Sequence, residues 1–164
     1  MRWDLIEKFE VLKKGGYARA RKSFSGKEDF FTDHYPSRPI VPEPLYVEMI
    51  AQAGGVLYGL GFDFKKEVIL AKVADAEFLR EMPPPCLFTI EASVEEEREE
   101  GAWIAGVVRS GTLEVARAKV LLVAISGLNE NAGKKIVFSD HFLEKLDIYK
   151  IAKLSEALSS QKES

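Results

Sequence analysis

Apolar positions along the chain change their period several times, and each change marks an element. "LIEKFEVLKKGGYARARKSF", residues 5–24, reads as two short extended runs joined at Gly15-Gly16, where paired glycines supply the positive φ of a tight hairpin turn. "SGKEDFFTDHYPSRPIVPEP" holds four prolines and few periodic apolar residues, which predicts a long irregular loop, a feature that in a compact domain is functional or disordered. In "PLYVEMIAQAGGVLYGLGF", Leu45, Met49, Ala53, Val56 and Leu60 recur at helical spacing, other apolar residues fill the remaining faces, and Pro44 suits the first turn. The pattern predicts a helix buried nearly all round. Ala51, Ala53, Gly54 and Gly55 strip its middle of bulk, so that another backbone can come close and wrap around it.

Four runs follow: "EVILAKVADAEFL", "CLFTIEASVEE", "AWIAGVVRS" and "LEVARAKVLLVAI", separated by the breakers "REMPPP", "EREEGA" and "SGT". In the last run Arg117 and Lys119 alternate with Ala116, Ala118, Val120 and Leu122, the period of two expected of a strand with one wet face. Four antiparallel strands are predicted, with the acidic stretch Glu95 to Glu100 as a solvated hairpin tip. After Gly127 the character becomes polar. "SDHFLEKLDIYKIAKLSEAL" then carries Phe142, Leu146, Tyr149, Leu154 and Leu158 between charges, with Ser139 as a plausible N-cap. This reads as one amphipathic C-terminal helix ending in a frayed "SSQKES", either packed on the sheet or a dimer, or docking a partner. The division predicted is 1–127 for the main domain and 128–164 for linker and helix.

Composition narrows the function. A chain of 164 residues that is 46% hydrophobic suffices for one domain with a core. A net charge of −3 lacks the basic footprint that nucleic acid requires. One cysteine, Cys86, excludes an intramolecular disulfide and a thiolate metal cluster, as a reducing cytoplasm expects. Charges every two or three residues in "MRWDLIEKFE" exclude a signal peptide, and no stretch reaches the roughly 18 apolar residues of a membrane span.

Two polar residues stand out. Glu48 and Gln52 lie one turn apart on an otherwise apolar helix, and an unpartnered buried carboxylate costs several kcal/mol, so Glu48 is paired, protonated or facing a polar cavity. A simple hydrogen bond to a loop amide would satisfy it. A carboxyl so placed is also how a site keeps an acid ready at neutral pH. His34 alone reads as an ordinary loop residue, but Pro36, Pro39 and Pro42 fix the backbone around it, and a general base must be positioned before its pKa matters.

"DHYPSRPIVPEPLYVEMIAQAGG" resembles the signature of the β-hydroxyacyl-acyl carrier protein dehydratases of fatty acid synthesis, H-[FY]-P-x-x-P-[IV]-x-P-G-x-L-x-x-[ED]-x-x-x-Q. His34, Pro36, Pro39, Ile40, Pro42, Leu45, Glu48 and Gln52 match, with fourteen residues from histidine to acid. The likeness runs more loosely over residues 3–125 and stops before the C-terminal helix. It implies an α+β hotdog fold, a curved antiparallel sheet wrapped around a long central helix. It implies a homodimer or an oligomer of dimers, with each site taking its histidine from one subunit and its acid from the other, and no metal or organic cofactor. The implied reaction is dehydration of a 3-hydroxyacyl thioester on acyl carrier protein: His34 takes the α proton, Glu48 serves the departing hydroxyl, and Gln52 supports it. The thioester oxygen would be met at the helix amino terminus.

The chain departs from the pattern there. Glu43 stands at the family's glycine and keeps a backbone N–H, Pro44 has none, Ser37 replaces another glycine, and Pro85-Cys86 replaces a glycine and an acid. The Glu43 carboxylate could itself occupy the helix end. An acyl-binding or partner hotdog subunit without turnover, and a hotdog thioesterase using the acid to activate water, remain the alternatives. Met49, Ile50, Phe78 and Leu79 are candidate walls of an acyl tunnel, and Arg38, Lys72 and Arg80 are candidate contacts to the acidic carrier protein, by position only.

Overall fold

The computed structural model describes residues 4–126 and 137–160. The predicted 127/128 boundary and the polar linker lie outside the described residues. The first hairpin is β1 (Lys8–Lys13) and β2 (Tyr17–Phe24), and Gly15 in its turn takes φ +72°, the left-handed conformation that glycine adopts without cost. The proline-rich loop holds one 3-10 turn, Asp29–Thr32. Helix α1 (Pro44–Leu60) starts where the sequence placed it, with Pro44 in its first turn. Strands β3 (Glu67–Phe78), β4 (Cys86–Arg98), β5 (Gly101–Ser110) and β6 (Leu113–Ile125) follow as four antiparallel strands.

All six strands form one antiparallel sheet in the order β1-β2-β4-β5-β6-β3. Register shifts interrupt four of its pairings, twice between β3 and β6, and such bulges bend a strand and increase its twist. The curved sheet wraps α1. Alternation sorts the two faces: Ile104, Val108, Val120 and Leu122 are buried, while Arg117 pairs with Glu77 and Lys119 with Glu95 on the outer face. The small residues of α1 take in side chains rather than a passing backbone. A Cβ on Gly54 would lie 2.7 Å from Ile104 Cγ2, and one on Gly55 would lie 2.8 Å from Phe138 Cζ.

The C-terminal element corrects the sequence reading. It is two helices, α2 (Asp140–Lys145) and α3 (Ile148–Ser160), separated at Asp147, whose φ of +50° breaks the run. Asp and Asn enter this left-handed region more readily than other side chains. Ser139 caps α2 as expected, accepting the Phe142 N–H at 3.2 Å. The break resets the phase, so α3 buries Ile148, Ala152 and Ser155 and leaves Tyr149, Leu154 and Leu158 exposed. α3 packs against β1, where Ser155 Oγ accepts the buried Leu12 N–H at 3.0 Å.

The other edge is bare. β3 pairs with β6 alone among the described residues, and Leu70, Val73, Phe78 and Leu79 are all more than a third exposed. An edge that exposes apolar side chains between charged ones, with a row of unpaired backbone groups, is a template for another strand.

Candidate active site

Glu48 lies in the second turn of α1, on the face that also presents Ala51, Gln52 and Gly55, at helical steps of three, four and seven. Gln52 bridges two elements: its side-chain NH2 donates to Glu48 Oε1 at 2.9 Å, and its oxygen accepts the Leu5 N–H at 3.1 Å. Glu48 is therefore half-buried and oriented by a neighbour. It faces a cavity of about 380 Å³ whose wall includes Ala51, Gly55, Val68, Leu122 and Phe138. That is the lower end of the range of small-molecule sites, which pair an apolar lining with a few placed polar groups.

His34 stands in the loop before α1. Its N–H donates to Phe30 O at 3.0 Å, its carbonyl accepts the Ile40 N–H at 3.3 Å, and its half-buried ring stacks on Tyr35 at 4.3 Å between centroids. Val41 N–H to Met82 O at 2.9 Å and an ion pair of Arg38 with Glu81 fasten the loop to the segment after β3. His34 is held at both backbone groups. It does not line the cavity that Glu48 faces within the same chain.

Glu43 precedes α1 at φ −54° and ψ −39°, an ordinary helical conformation, and its exposed side chain makes no capping hydrogen bond. No glycine conformation is demanded there. Nor does the carboxylate occupy the helix end, the arrangement that would have obstructed an anion.

The remaining predicted residues are placed differently. Met49 and Ile50 are fully buried between helix and sheet, Ile50 against Gly106, and neither lines the cavity. Phe78 and Leu79 are exposed at the end of β3 and do not line it either. Lys72 and Arg80 are exposed on β3 and just beyond it, while Arg38 is engaged with Glu81. Sequence reasoning missed the wall formed by Ala51, Gly55, Val137, Phe138 and Phe142. Ala51 and Gly55 were legible, since they share the face of Glu48. The C-terminal residues carried no such signal.

Among the described residues no helix is long and apolar enough to cross a membrane. Burial pushes the Cys86 thiol up to about 11, which disfavours a reactive thiolate at neutral pH.

The model of the FabA-like domain matches residues 3–121. The chain is 39% identical over 81 residues to the 3-hydroxyacyl-[acyl-carrier-protein] dehydratase FabZ of Protochlamydia amoebophila, a match covering 49% of this chain and 51% of that protein. It is 33% identical over 108 residues to the same-named protein of Xanthomonas oryzae pv. oryzae, covering 63% and 70%. The chain thus spans about half the length of the first of these relatives. Among solved structures, a Streptococcus mutans protein bound to acetyl CoA superposes with a TM-score of 0.58 at 11% identity, covering 73% of this chain and 88% of that one. A dehydratase heterocomplex of Xenorhabdus doucetiae gives 0.55 at 13%, covering 66% and 88%. A hypothetical thioesterase of Streptococcus pneumoniae with coenzyme A gives 0.58 at 9%, covering 76% and 91%. The wrapped helix is a hotdog fold, and with the family model spanning most of its sheet and all of α1, this chain belongs to the FabA-like domain family.

Proposed function

We propose that two copies of this chain dehydrate a 3-hydroxyacyl thioester presented on acyl carrier protein, with His34 of one copy and Glu48 of the other facing one substrate. The observation that carries this reading is the separation of the two groups within a single chain: Glu48 and Gln52 face a cavity that His34 does not line. The open β3 edge, with its exposed apolar residues, supports a second copy beside that cavity. The curated relatives are named as dehydratases of this class.

His34 takes the proton from the carbon next to the thioester carbonyl, and the electron pair passes into the enolate. As the enolate collapses to the α,β double bond, the bond to the hydroxyl breaks and Glu48 protonates it, releasing water. Gln52 occupies Glu48 Oε1 and turns the carboxyl toward the cavity. The Glu43 N–H and the positive end of α1 meet the charge on the thioester oxygen. No further reactant is needed.

Each single variant, His34→Ala or Glu48→Gln, should lower kcat/KM for a 3-hydroxyacyl thioester by roughly 10²–10⁴-fold. Unfolding the two together and refolding them mixed should restore about a quarter of wild-type activity, because half of the random dimers regain one intact site of two. Refolded mixtures no more active than either parent would refute the shared site. Wild type that binds the thioester without changing it would leave an acyl-binding subunit, and free thiol released without an enoyl product would mark a thioesterase, the activity in the name of one structural neighbour.

A further inference from the structure

The cavity beside Glu48 is closed by a part of the chain outside the family match, which ends at residue 121, whereas Val137, Phe138 and Phe142 belong to its wall. Phe138 is only 6% exposed, and its ring lies over Gly55 so closely that a Cβ there would come within 2.8 Å of Cζ and 3.0 Å of Cε2. The missing side chain of Gly55 is what admits the ring.

The ring is held in place. Glu67, itself buried, accepts the Val137 N–H at 3.1 Å, and Ser139 caps the helix that carries Phe142. Phe64 meets Phe138 edge-on at 6.0 Å, and Phe142 packs tilted against it at 5.5 Å. Lys145 Nζ bonds Asp4 Oδ2 at 2.8 Å, tying α2 to the amino-terminal segment. Gly55 lies seven residues beyond Glu48 on one helix face, about 10 Å along the axis. A chain entering at Glu48 and running along that face therefore ends at an aromatic wall.

We infer that Phe138 and Phe142 form the stop that limits the length of acyl chain this protein accepts. The inference rests on the reading of the Glu48 cavity as the acyl site, and it makes the C-terminal segment a specificity element that the matched family region does not supply.

The test is calorimetric binding of S-alkyl pantetheine thioethers, from butyl to hexadecyl length, to wild type, Phe138→Ala, Phe138→Leu and Phe142→Ala. Phe138→Leu keeps an apolar filler and Phe142 is only half-buried, so folded variants are available even if Phe138→Ala unfolds. In wild type, affinity should rise by about fourfold per methylene and then break off. In the two alanine variants the break should move outward by roughly two to four carbons, the space a ring leaves in a close-packed interior, and in Phe138→Leu by about one. Short thioethers should bind as they do to wild type. A break at the same length in folded variants, or no break in wild type, would overturn the inference. Turnover of the matching 3-hydroxyacyl thioesters is read separately: a shifted break without turnover would refute the dehydratase and sustain the stop, while no binding of any thioether would refute both.

Discussion

Replacing Gly54 by alanine sets two effects of known size against each other. Alanine in a helix interior is favoured over glycine by about 1 kcal/mol. The new Cβ, however, would lie 2.7 Å from Ile104 Cγ2, 3.2 Å from Cγ1 and 3.3 Å from Cβ, all on a fully buried strand residue. Overpacking of this kind costs about 1–3 kcal/mol, so the net change is a loss of about 1 kcal/mol. For a chain of this length that lowers Tm by about 2–4 °C. Restoring ordinary contact of about 3.5 Å requires the helix to lift from the sheet by nearly 1 Å. Glu48 rides on that helix, and for the proposed reaction a misplacement of about 1 Å costs on the order of 10²-fold in rate.

Ile104→Ala removes the two nearest of these three carbons, Cγ2 and Cγ1, at a cost of about 2–5 kcal/mol. On that background Gly54→Ala should become stabilising, giving a favourable coupling of about 1–3 kcal/mol. Ile104→Val keeps Cγ1 and Cγ2 and should give no relief. The assay is thermal unfolding by circular dichroism at fixed protein concentration, with kcat/KM measured on the same samples. If Gly54→Ala raised Tm in the wild-type background, or cost the same beside Ala as beside Ile, the close approach of helix and sheet would be refuted.

Other consequences are local. Ser155→Ala leaves the buried Leu12 N–H without its partner, at a cost of about 1–3 kcal/mol, read as a lower midpoint in urea with an unchanged slope. Cys86, with its thiol raised from 9.0 to about 11 by burial, should be alkylated by iodoacetamide at pH 7 about 10²-fold more slowly than an ordinary thiol, and as fast as one only after unfolding. Burial, and then the hydrogen bond to Glu91 at 2.6 Å, push the Tyr17 phenol up to about 12. Its contribution to stability is therefore complete below pH 10 and lost as pH rises through about 12, and Glu91→Gln should lower the midpoint seen by ultraviolet titration.

The fold was legible where the period was long or the turn chemistry specific. Gly15-Gly16 gave the first hairpin, Pro44 the start of α1, and the alternation of Arg117 and Lys119 the wet face of β6. The C-terminal helix was misread because a single left-handed residue, Asp147, shifts the phase of everything after it, and the readiness of aspartate for that conformation is too common a property to place a break from sequence. Within the site, the pairing of Glu48 with Gln52 followed from their spacing of four. The tunnel walls did not. Met49 and Ile50 are as apolar as true cavity residues, and only the sheet they face distinguishes core from wall. Phe138 lies 83 positions from Gly55 in sequence, beyond the reach of any local pattern.

The departure at "PEP" changes weight once its geometry is known. Glu43 occupies a helical conformation open to any residue, so losing the family's glycine costs no backbone strain. Of the amides around that helix end, the Leu45 N–H already donates to Pro42 O and the Tyr46 N–H to Glu43 O, each at 3.0 Å, and Pro44 has none to offer. In the proposed reaction the Glu43 N–H is the donor left for the thioester oxygen, aided by the helix dipole and opposed by the carboxylate on the same residue. One preorganised donor is worth roughly 10²–10³-fold in rate. In the proposed reaction, a site reduced to one such donor would be slower than a site with two by about that factor, and still far faster than water, because the acid and base stand apart from it. For the proposed reaction, the substitution therefore predicts a slower dehydratase rather than an inert one.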